Sequence, residues 1–598
     1  MNAVNRLDTR TVSQVIADEL SKFGVSDVFC VVGGAIAGLV DVFARDSRFN
    51  VHYLLHEQSA GIAAESYASV SGQPCVLLVT SGPGATNAMT PLAAAWTNSS
   101  PVIVLAGQVR SVDIQSSGEN RQWGSQHIDS ISMVKTFTKL AIRIDPDTVQ
   151  SDFADELAVA TNDRPGPIWF EVPSDVQRAQ SRDVFVNRKN TAGTELLGSS
   201  KFIDLLNEAI ITSKKPLLLL GNGCRSELER IREFVEDIGW PTQLTWPALD
   251  FIETRHPQYA GRPGSIANWS SNVLMQNADL VLILGARLDW GQVGFRPDNF
   301  AAKAKIFRVE IDSQELRRLP RIKVTDARMS IKDFLDSVSN SEIIQNARSQ
   351  NVSQWKEIVV ESMKQFSEFG SSQVMSGISM YELLEEISRC SSAFPTIVSG
   401  SSGTCTEQVM QAIAPQHGQR ILNSGGLGSM GFGLSGAIGA FYATNKPVLC
   451  LESDGSFSMN PQDLNYISKN NLPIRILIMD SGGYKSILLS QKRGELILAG
   501  ISEDTGLDLL DPVATAQSMG IAGSVIDVND DWKKSVYNFL QSTDPSLLQV
   551  RVNPEEEAAP RVMSKLNSEG KMETAKLDDL WPPLTPEEFS KIMKVRDI

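Results

Sequence analysis

The chain has no run of about eighteen apolar residues, and its opening stretch, MNAVNRLDTRTVSQVIADEL, holds no apolar core. Neither a membrane span nor a secretion signal is therefore expected. Basic residues are the minority: 55 Lys and Arg face 70 Asp and Glu, a net charge of −15, with no Lys/Arg cluster. Nucleic acid and acidic membrane surfaces are poor partners for such a chain. Cysteine is sparse, and the six (Cys30, Cys75, Cys224, Cys390, Cys405, Cys450) form no C-x-x-C pair. That argues against a disulfide framework or a thiolate metal site and places the protein in a reducing cytoplasm. The five histidines show no metal-ligand spacing.

What is present is ordinary globular material. With 42% hydrophobic and 21% charged residues the bulk is not disordered, and 598 residues suggest three or four domains. Short β-rich runs alternate with helical stretches: 28–34, 74–84, 101–107 and 166–173, then 216–223, 278–289 and 305–312, then 396–400, 447–455, 473–481 and 546–552. This rhythm predicts an α/β protein of three doubly wound parallel-sheet domains. Polar sequence at 186–200 and Ser/Gln-rich sequence at 338–376 separate them. The acidic, Pro-containing tail beyond Asn553 is too irregular for a core and is expected to wrap over a neighbouring surface. No short-period repeat is visible.

The third unit presents three ligand-facing elements, the first formed by two strand ends that share one crevice. LESDGS ends a strand at Asp454, Gly455 and Ser456, and a second strand ends at Asp480-Ser481-Gly482-Gly483. In an open parallel sheet, ligands bind beyond the strand C-termini, and a carboxylate among small residues suits a phosphate-bound Mg²⁺. Ordinary strand ends with turn residues would look the same. The other two loops are SSGTCTEQ (401–408) and LNSGGLGSMGFGLSGAIGA (422–440), whose seven glycines require a close backbone approach. In the first unit, LLHEQSAGIAAESYASVSG places Glu57 on a helix among Leu54, Leu55, Ala60 and Ile62. An apolar setting keeps a carboxyl protonated near neutral pH, although Glu57 reads equally as a solvated first-turn glutamate. TSGPGATN (80–87) follows a buried-type strand.

Taken in order, VVGGAIAGLVD, LLHEQSAGIAAESYA, TSGPGATNAMTPLAAAW, PVIVLAGQV, SGGLGSMGFGLSGAIGA and SDGSFSMNPQDL resemble the thiamine diphosphate-dependent decarboxylase and carboligase superfamily. The likeness is greatest to the acetolactate synthase large subunit and covers about 8–555. It implies a pyrimidine-binding domain (8–185), a central domain (195–345), a thiamine diphosphate/Mg-binding domain (375–553) and a tail (554–598). Active sites would lie between two subunits of a homodimer or homotetramer. Glu57 would hydrogen-bond the aminopyrimidine, Gln126 would stand at the reacting centre, and Met430 would bend the cofactor. Gly33, Gly34, His56, Thr80, Pro83, Asn87, Gly403, Thr404, Gly428, Gly455, Ser456 and Tyr484 would line the cofactor. Asp454, Ser481 and the Gly483 carbonyl would hold Mg²⁺. The implied activity is decarboxylation of pyruvate or a related 2-keto acid, with transfer of the two-carbon unit to a carbonyl acceptor.

The sequence departs from that pattern. Asp480-Ser481 stands for Asn-Asn and Ser453 for a glycine, so a hydroxyl replaces an amide ligand unless Asp480 compensates with charge. A Phe-Asp-Asp-Arg segment, whose arginine pairs with an acceptor carboxylate, is replaced by Leu288-Asp289-Trp290-Gly291, a tryptophan by Ser490, and a glutamate by His127. Branched-chain synthesis is thereby in doubt. A sugar-modifying subgroup that transfers an acetyl unit to a nucleotide-linked keto sugar is the runner-up, with Lys485 and Gln491 as acceptor contacts or as structural residues. The same residues leave open a simple 2-keto acid decarboxylase and an inactive homologue acting as a binding partner. GNG (221–223) is a weak dinucleotide signal, but the resemblance also implies a structural FAD near GRPGSIAN and GARLD, with Arg287 at its diphosphate or else paired with Asp289.

Overall fold

The long apolar runs all become inner strands of parallel sheets, where both faces are covered and both edges paired. In the computed structural model the described residues are 10–116, 120–147, 149–181, 199–318, 323–366, 369, 377–400, 402–566, 570 and 572–593. The polar stretch 186–198, the expected boundaries at 8, 185, 195 and 375, and Ser401 lie outside them.

The first sheet holds β1 (Asp27–Cys30), β2 (Asn50–Tyr53), β3 (Cys75–Val79), β4 (Val102–Gln108), β5 (Leu140–Arg143) and β6 (Ile168–Pro173), in the order β2-β1-β3-β4-β6-β5. The second holds β7 (Pro216–Leu220), β8 (Thr242–Leu244), β9 (Leu280–Leu284), β10 (Lys305–Glu310) and β11 (Val324–Arg328), ordered β11-β10-β9-β7-β8. The third holds β12 (Thr396–Ser399), β13 (Arg420–Leu422), β14 (Val448–Ser453), β15 (Ile474–Asp480), β16 (Ala522–Ile526) and β17 (Ser546–Arg551), ordered β13-β12-β14-β15-β17-β16. All neighbours in the three sheets are parallel, in registers such as Val28↔Val76 and Val398↔Cys450. The first and third sheets have the same strand order, a duplication of architecture without a short sequence repeat.

These two units share one core. Ala63, Leu77 and Trp169 of the first lie in a single buried cluster with Phe432, Ala437 and Ile438 of the third. The glycine-rich run explains how: in helix Phe432–Thr444, a Cβ on Gly439 would collide with the carbonyl of Ala63 in helix Glu57–Ser71. Part of the glycine signal is thus helix-to-helix contact.

The tail lies against a neighbouring unit, as its irregular sequence implies, and its apolar residues enter that unit's core. Val562, Ala575, Leu577 and Leu580 are buried with Trp269, Val273, Leu288 and Val293, so it completes the core of the central unit. Its strand Arg561–Val562 pairs with Leu580–Trp581, and Ile266 bridges Arg561. All six cysteines are buried and free. No helix among the described residues is long and apolar enough to cross a membrane.

Candidate active site

Helix Glu57–Ser71 begins where β2 ends, capped by His56, whose Nδ1 accepts the Gln58 N–H at 3.1 Å. Glu57 is therefore a first-turn residue, and it is half-buried, closer to the first-turn reading of the sequence than to an apolar enclosure. Asn87 Nδ2 donates to Glu57 Oε2 at 3.0 Å, which fixes the carboxyl and leaves Oε1 beside Gly84. Thr80, at the end of β3, faces both Gly33 and Gly84; a Cβ on either would collide with its side chain. Its hydroxyl is buried without a protein partner. Gly82 (φ 61°) carries the turn into helix Pro83–Asn87 and lies against Gln126, itself held at φ 63°. A non-glycine residue in that region is uncommon and marks a constrained position. Gly34 faces open space. The structure thus brings Glu57, Asn87, Thr80, Pro83, Gly33 and Gln126 together, and the neighbouring His127 has a buried Nδ1 with no hydrogen-bond partner.

The second cluster lies at the carboxyl ends of β12, β14 and β15. Asp454 opens the helical turn Asp454–Phe457, and its carboxylate accepts Gly455 N–H at 2.9 Å and Gly483 N–H at 2.7 Å. Ser481 Oγ donates to the Gly483 carbonyl at 3.2 Å, so the three residues expected to hold Mg²⁺ form one knot. Burial, and then the charge of Asp480, push Asp454 up to about 7. A buried carboxylate with a second one nearby calls for a cation. Among the described residues no three His, Cys, Asp or Glu gather, so a cation here rests on one carboxylate with neutral oxygens, the donor set Mg²⁺ accepts. Asp480, beside them, has oxygens that accept Gly482 N–H at 2.9 Å and Gln549 Nε2 at 2.7 Å, while its charge reaches Asp454.

The loops around this knot are tightly specified. A Cβ on Gly455 would run into the Tyr484 ring, and one on Gly483 (φ 136°) into the Ile501 carbonyl. Ser456 Oγ accepts the Gly431 N–H at 2.8 Å, holding the turn after half-buried Met430. Gly428 (φ 72°) turns the loop before it, and Gly403 (φ 86°) and buried Thr404 open helix Gly403–Ala412. The knot fits a magnesium-bound diphosphate, and the first cluster, with its orphaned Thr80 hydroxyl, fits an aminopyrimidine.

Likeness to known proteins decides the family. Residues 10–133, 203–338 and 401–550 match the N-terminal TPP binding domain, the central domain and the C-terminal TPP binding domain of the thiamine pyrophosphate enzymes. The chain belongs to the thiamine pyrophosphate enzyme family. It is 30% identical over 562 residues to the acetolactate synthase isozyme 1 large subunit of Escherichia coli, covering 92% of this chain and 96% of that one. A probable acetolactate synthase large subunit of Methanocaldococcus jannaschii is 28% identical, with 98% of each chain covered. A thiamine diphosphate-dependent 4-hydroxybenzoylformate decarboxylase of Rhodococcus jostii RHA1 shares the fold, with TM-score 0.74 and 20% identity over 91% of this chain and 99% of that chain. This is therefore a thiamine pyrophosphate-dependent, acetolactate synthase-like enzyme of the transferase/lyase type.

Several expected contacts of this family member resolve differently. Lys485 is buried, donating to the Asn553 carbonyl at 2.9 Å, and Gln491 closes a turn with Ala499, so both are structural. Nor do the flavin segments fit a flavin diphosphate. Gly221 and Gly223 abut Gly285 and Ala286, and the Gly223 N–H donates to Gly285. Arg262 is bound to the carbonyls that end helix Gly403–Ala412, and Arg287 donates to Thr97 at 2.9 Å and pairs with Asp289. Residues that sequence reasoning missed include Gln549, Asn460, which holds the Gly431 carbonyl, and Glu452, a carboxylate inside the apolar run VLCLES. That last is a signal, since a charge in a strand covered on both faces needs partners.

Glu65 marks the joint between the first and third units. Asn98 and Ser424 donate to its Oε1 at 2.6 and 2.8 Å, Oε2 has no partner, and burial pushes it up to about 7. Because this value lies above the ordinary 4.5, the folded state holds the proton more tightly, and stability is lost as pH rises from about 4.5 to about 7. Glu65→Gln is expected to be more stable than wild type at about pH 8, by up to about 3 kcal/mol, with the gap vanishing near pH 4. Denaturant unfolding across that range checks it, and a gap independent of pH would contradict it.

Proposed function

We propose that two copies of this chain form paired active sites in which thiamine diphosphate and Mg²⁺ support decarboxylation of pyruvate or a related 2-keto acid and transfer of the two-carbon unit to a carbonyl acceptor. The observation that carries it is the separation of the two clusters: Gly439 packs against Ala63 and Gly436 against Ser66, so helices Glu57–Ser71 and Phe432–Thr444 run antiparallel and set Glu57 and Met430 at opposite ends. A partner chain would complete each. Apolar side chains stand exposed beside both, Val32, Leu55 and Trp123 next to the first, Leu427, Met459 and Ile487 next to the second, as a covered interface requires.

When bound, thiamine diphosphate supplies the carbanion and the electron sink for decarboxylation. The chain supplies the rest. Glu57 Oε1 would hold and pass a proton at the aminopyrimidine, Thr80 would offer its unpaired hydroxyl, and Met430 would support the bound cofactor. Asp454, Ser481 and the Gly483 carbonyl would hold Mg²⁺. Gln126 would stand at the reacting centre, with Gly33 and Gly34 leaving room there.

The acceptor reading turns on the central unit. Leu288 is buried in its core and Asp289 accepts the Gln292 N–H, so this segment presents no arginine to a second keto acid. A second keto acid would thus lack a carboxylate partner in this segment, and acetyl transfer to a keto sugar stands as the second reading beside acetolactate formation. The central unit is proposed to be free of flavin, the protein cytoplasmic, and the domain boundaries as read from the sequence.

Labelled pyruvate, with thiamine diphosphate and Mg²⁺, tests this through CO₂ release and product mass, alone and with keto-sugar nucleotides. Turnover that rises when the sugar is added supports acetyl transfer. Acetolactate from pyruvate alone supports the synthase reading, and free aldehyde a plain decarboxylase. Silence under all conditions, or no cofactor uptake, overturns the proposal in favour of an inactive homologue, and a flavin spectrum in the purified protein overturns the flavin-free reading. Ser481→Asn, restoring an amide oxygen, is expected to tighten Mg²⁺–diphosphate binding by about 1 kcal/mol, roughly fivefold. A fluorescence titration checks it; unchanged affinity would show that Ser481 is no ligand.

A further inference from the structure

Glu452 is a carboxylate with 1% exposure in the middle strand of the third sheet, and no basic side chain pairs with it among the described residues. Along β14, Leu449 and Leu451 turn to one face of the sheet, Cys450 and Glu452 to the other. Its charge is met by backbone: Oε2 accepts the Gly433 N–H at 2.7 Å and Oε1 the Ser453 N–H at 3.0 Å, and the Ser456 hydroxyl stands near enough to favour the ionised form. Gly433 is the second residue of helix Phe432–Thr444, so the carboxylate sits at the positive end of a long helix. The space is shaped around it: a Cβ on Gly400 or on Gly433 would collide with its oxygens.

These contacts reach all three cofactor loops. Gly400 leads out of β12 into its loop; Gly433 and Ser456 hold the turn at Met430 and Gly431; and Asp454 follows two residues on, just past the end of β14. We propose that Glu452 is a positioning residue that registers the Met430 turn against the Asp454 turn, so that both ends of the cofactor are held in one geometry. This rests on the functional reading above, since it concerns that same site. Glu452 touches neither substrate nor cofactor and acts through Met430 and Asp454.

Glu452→Gln keeps the shape but sets an amide N–H₂ against a backbone N–H. It is expected to fold, to bind Mg²⁺–thiamine diphosphate about tenfold to a hundredfold more weakly, and, even saturated, to exchange the cofactor's C2 proton about tenfold more slowly. Exchange is read by NMR after acid quench, affinity by fluorescence quenching, and folding by circular dichroism. Slowed exchange at saturation is the signature of a misplaced cofactor, which loss of stability alone would not produce. Gly433→Ala, with alanine favourable in a helix and the carboxylate retained but displaced, is expected to slow exchange likewise, and it decides the matter if Glu452→Gln does not fold. Variants that match wild type in affinity and exchange overturn this inference alone. A wild-type chain that takes up no Mg²⁺–thiamine diphosphate overturns the functional reading as well.

Discussion

Glu57→Gln is expected to lower turnover by roughly a hundredfold to ten-thousandfold while leaving folding unchanged. The substitution keeps a side-chain oxygen for the Asn87 amide and so disturbs little of the local packing. What it removes is the exchangeable proton at the position that faces Gly84. Glu57 caps no buried charge and, half-exposed at the start of its helix, contributes little to the core. The loss should therefore fall on kcat, with Mg²⁺ affinity unchanged because the metal knot belongs to the other cluster. Steady-state CO₂ release checks it. Undiminished turnover would mean that the proton-handling group lies elsewhere.

Asp250→Ala is expected to cost about 3–5 kcal/mol of stability. Asp250 is buried between two guanidiniums, Arg225 at 2.7 Å and Arg420 at 3.0 Å, and also accepts the Ile421 N–H. Burial alone would raise its pKa, yet Arg420 and Arg225 hold it below the ordinary value. Burial and the charge of Arg420 push Arg225 down to about 10, so the two cations already strain against each other. Without the carboxylate they would remain buried with no counter-charge. Asp250 and Arg225 belong to the central unit and Arg420 begins β13, so the loss falls on the junction that fixes the third unit. Chemical denaturation measures it, and a change under about 1 kcal/mol would show that the arginines escape to solvent.

The chemistry was legible because its residue types are demanding. Asp454, Gly455 and Gly483 announce themselves as a carboxylate and glycines at strand ends, and the structure brings them within hydrogen-bonding reach of one another. The strands that went unread are equally instructive: β2, β5, β8, β11, β13 and β16 are the two edges of each sheet. An edge strand is short and partly wet, as the exposed pattern of AGSVI in β16 shows, so it lacks the continuous apolar run that marks its buried neighbours. The depth of the tail's burial was unread for a related reason. Val562 and Leu577 are far apart in a polar, Pro-containing stretch with no sustained apolar period, and only the central unit's Trp269 and Val293 give them a core to complete.

Sequence alone determined the α/β class, the inner strands and the glycines and carboxylates that the structure gathers into two clusters, because burial and close backbone approach restrict which side chains can stand there. Tertiary structure decided which polar groups are free to act. Lys485, Gln491, Arg262 and Arg287 carry suitable chemistry in the sequence, but each is engaged by a partner far along the chain or across a turn. Glu452 gains its meaning only when Gly400 and Gly433, from two other loops, close around it. A hydrogen bond between residues distant in sequence leaves no local trace, so the division between structural and working polar groups is made by the fold.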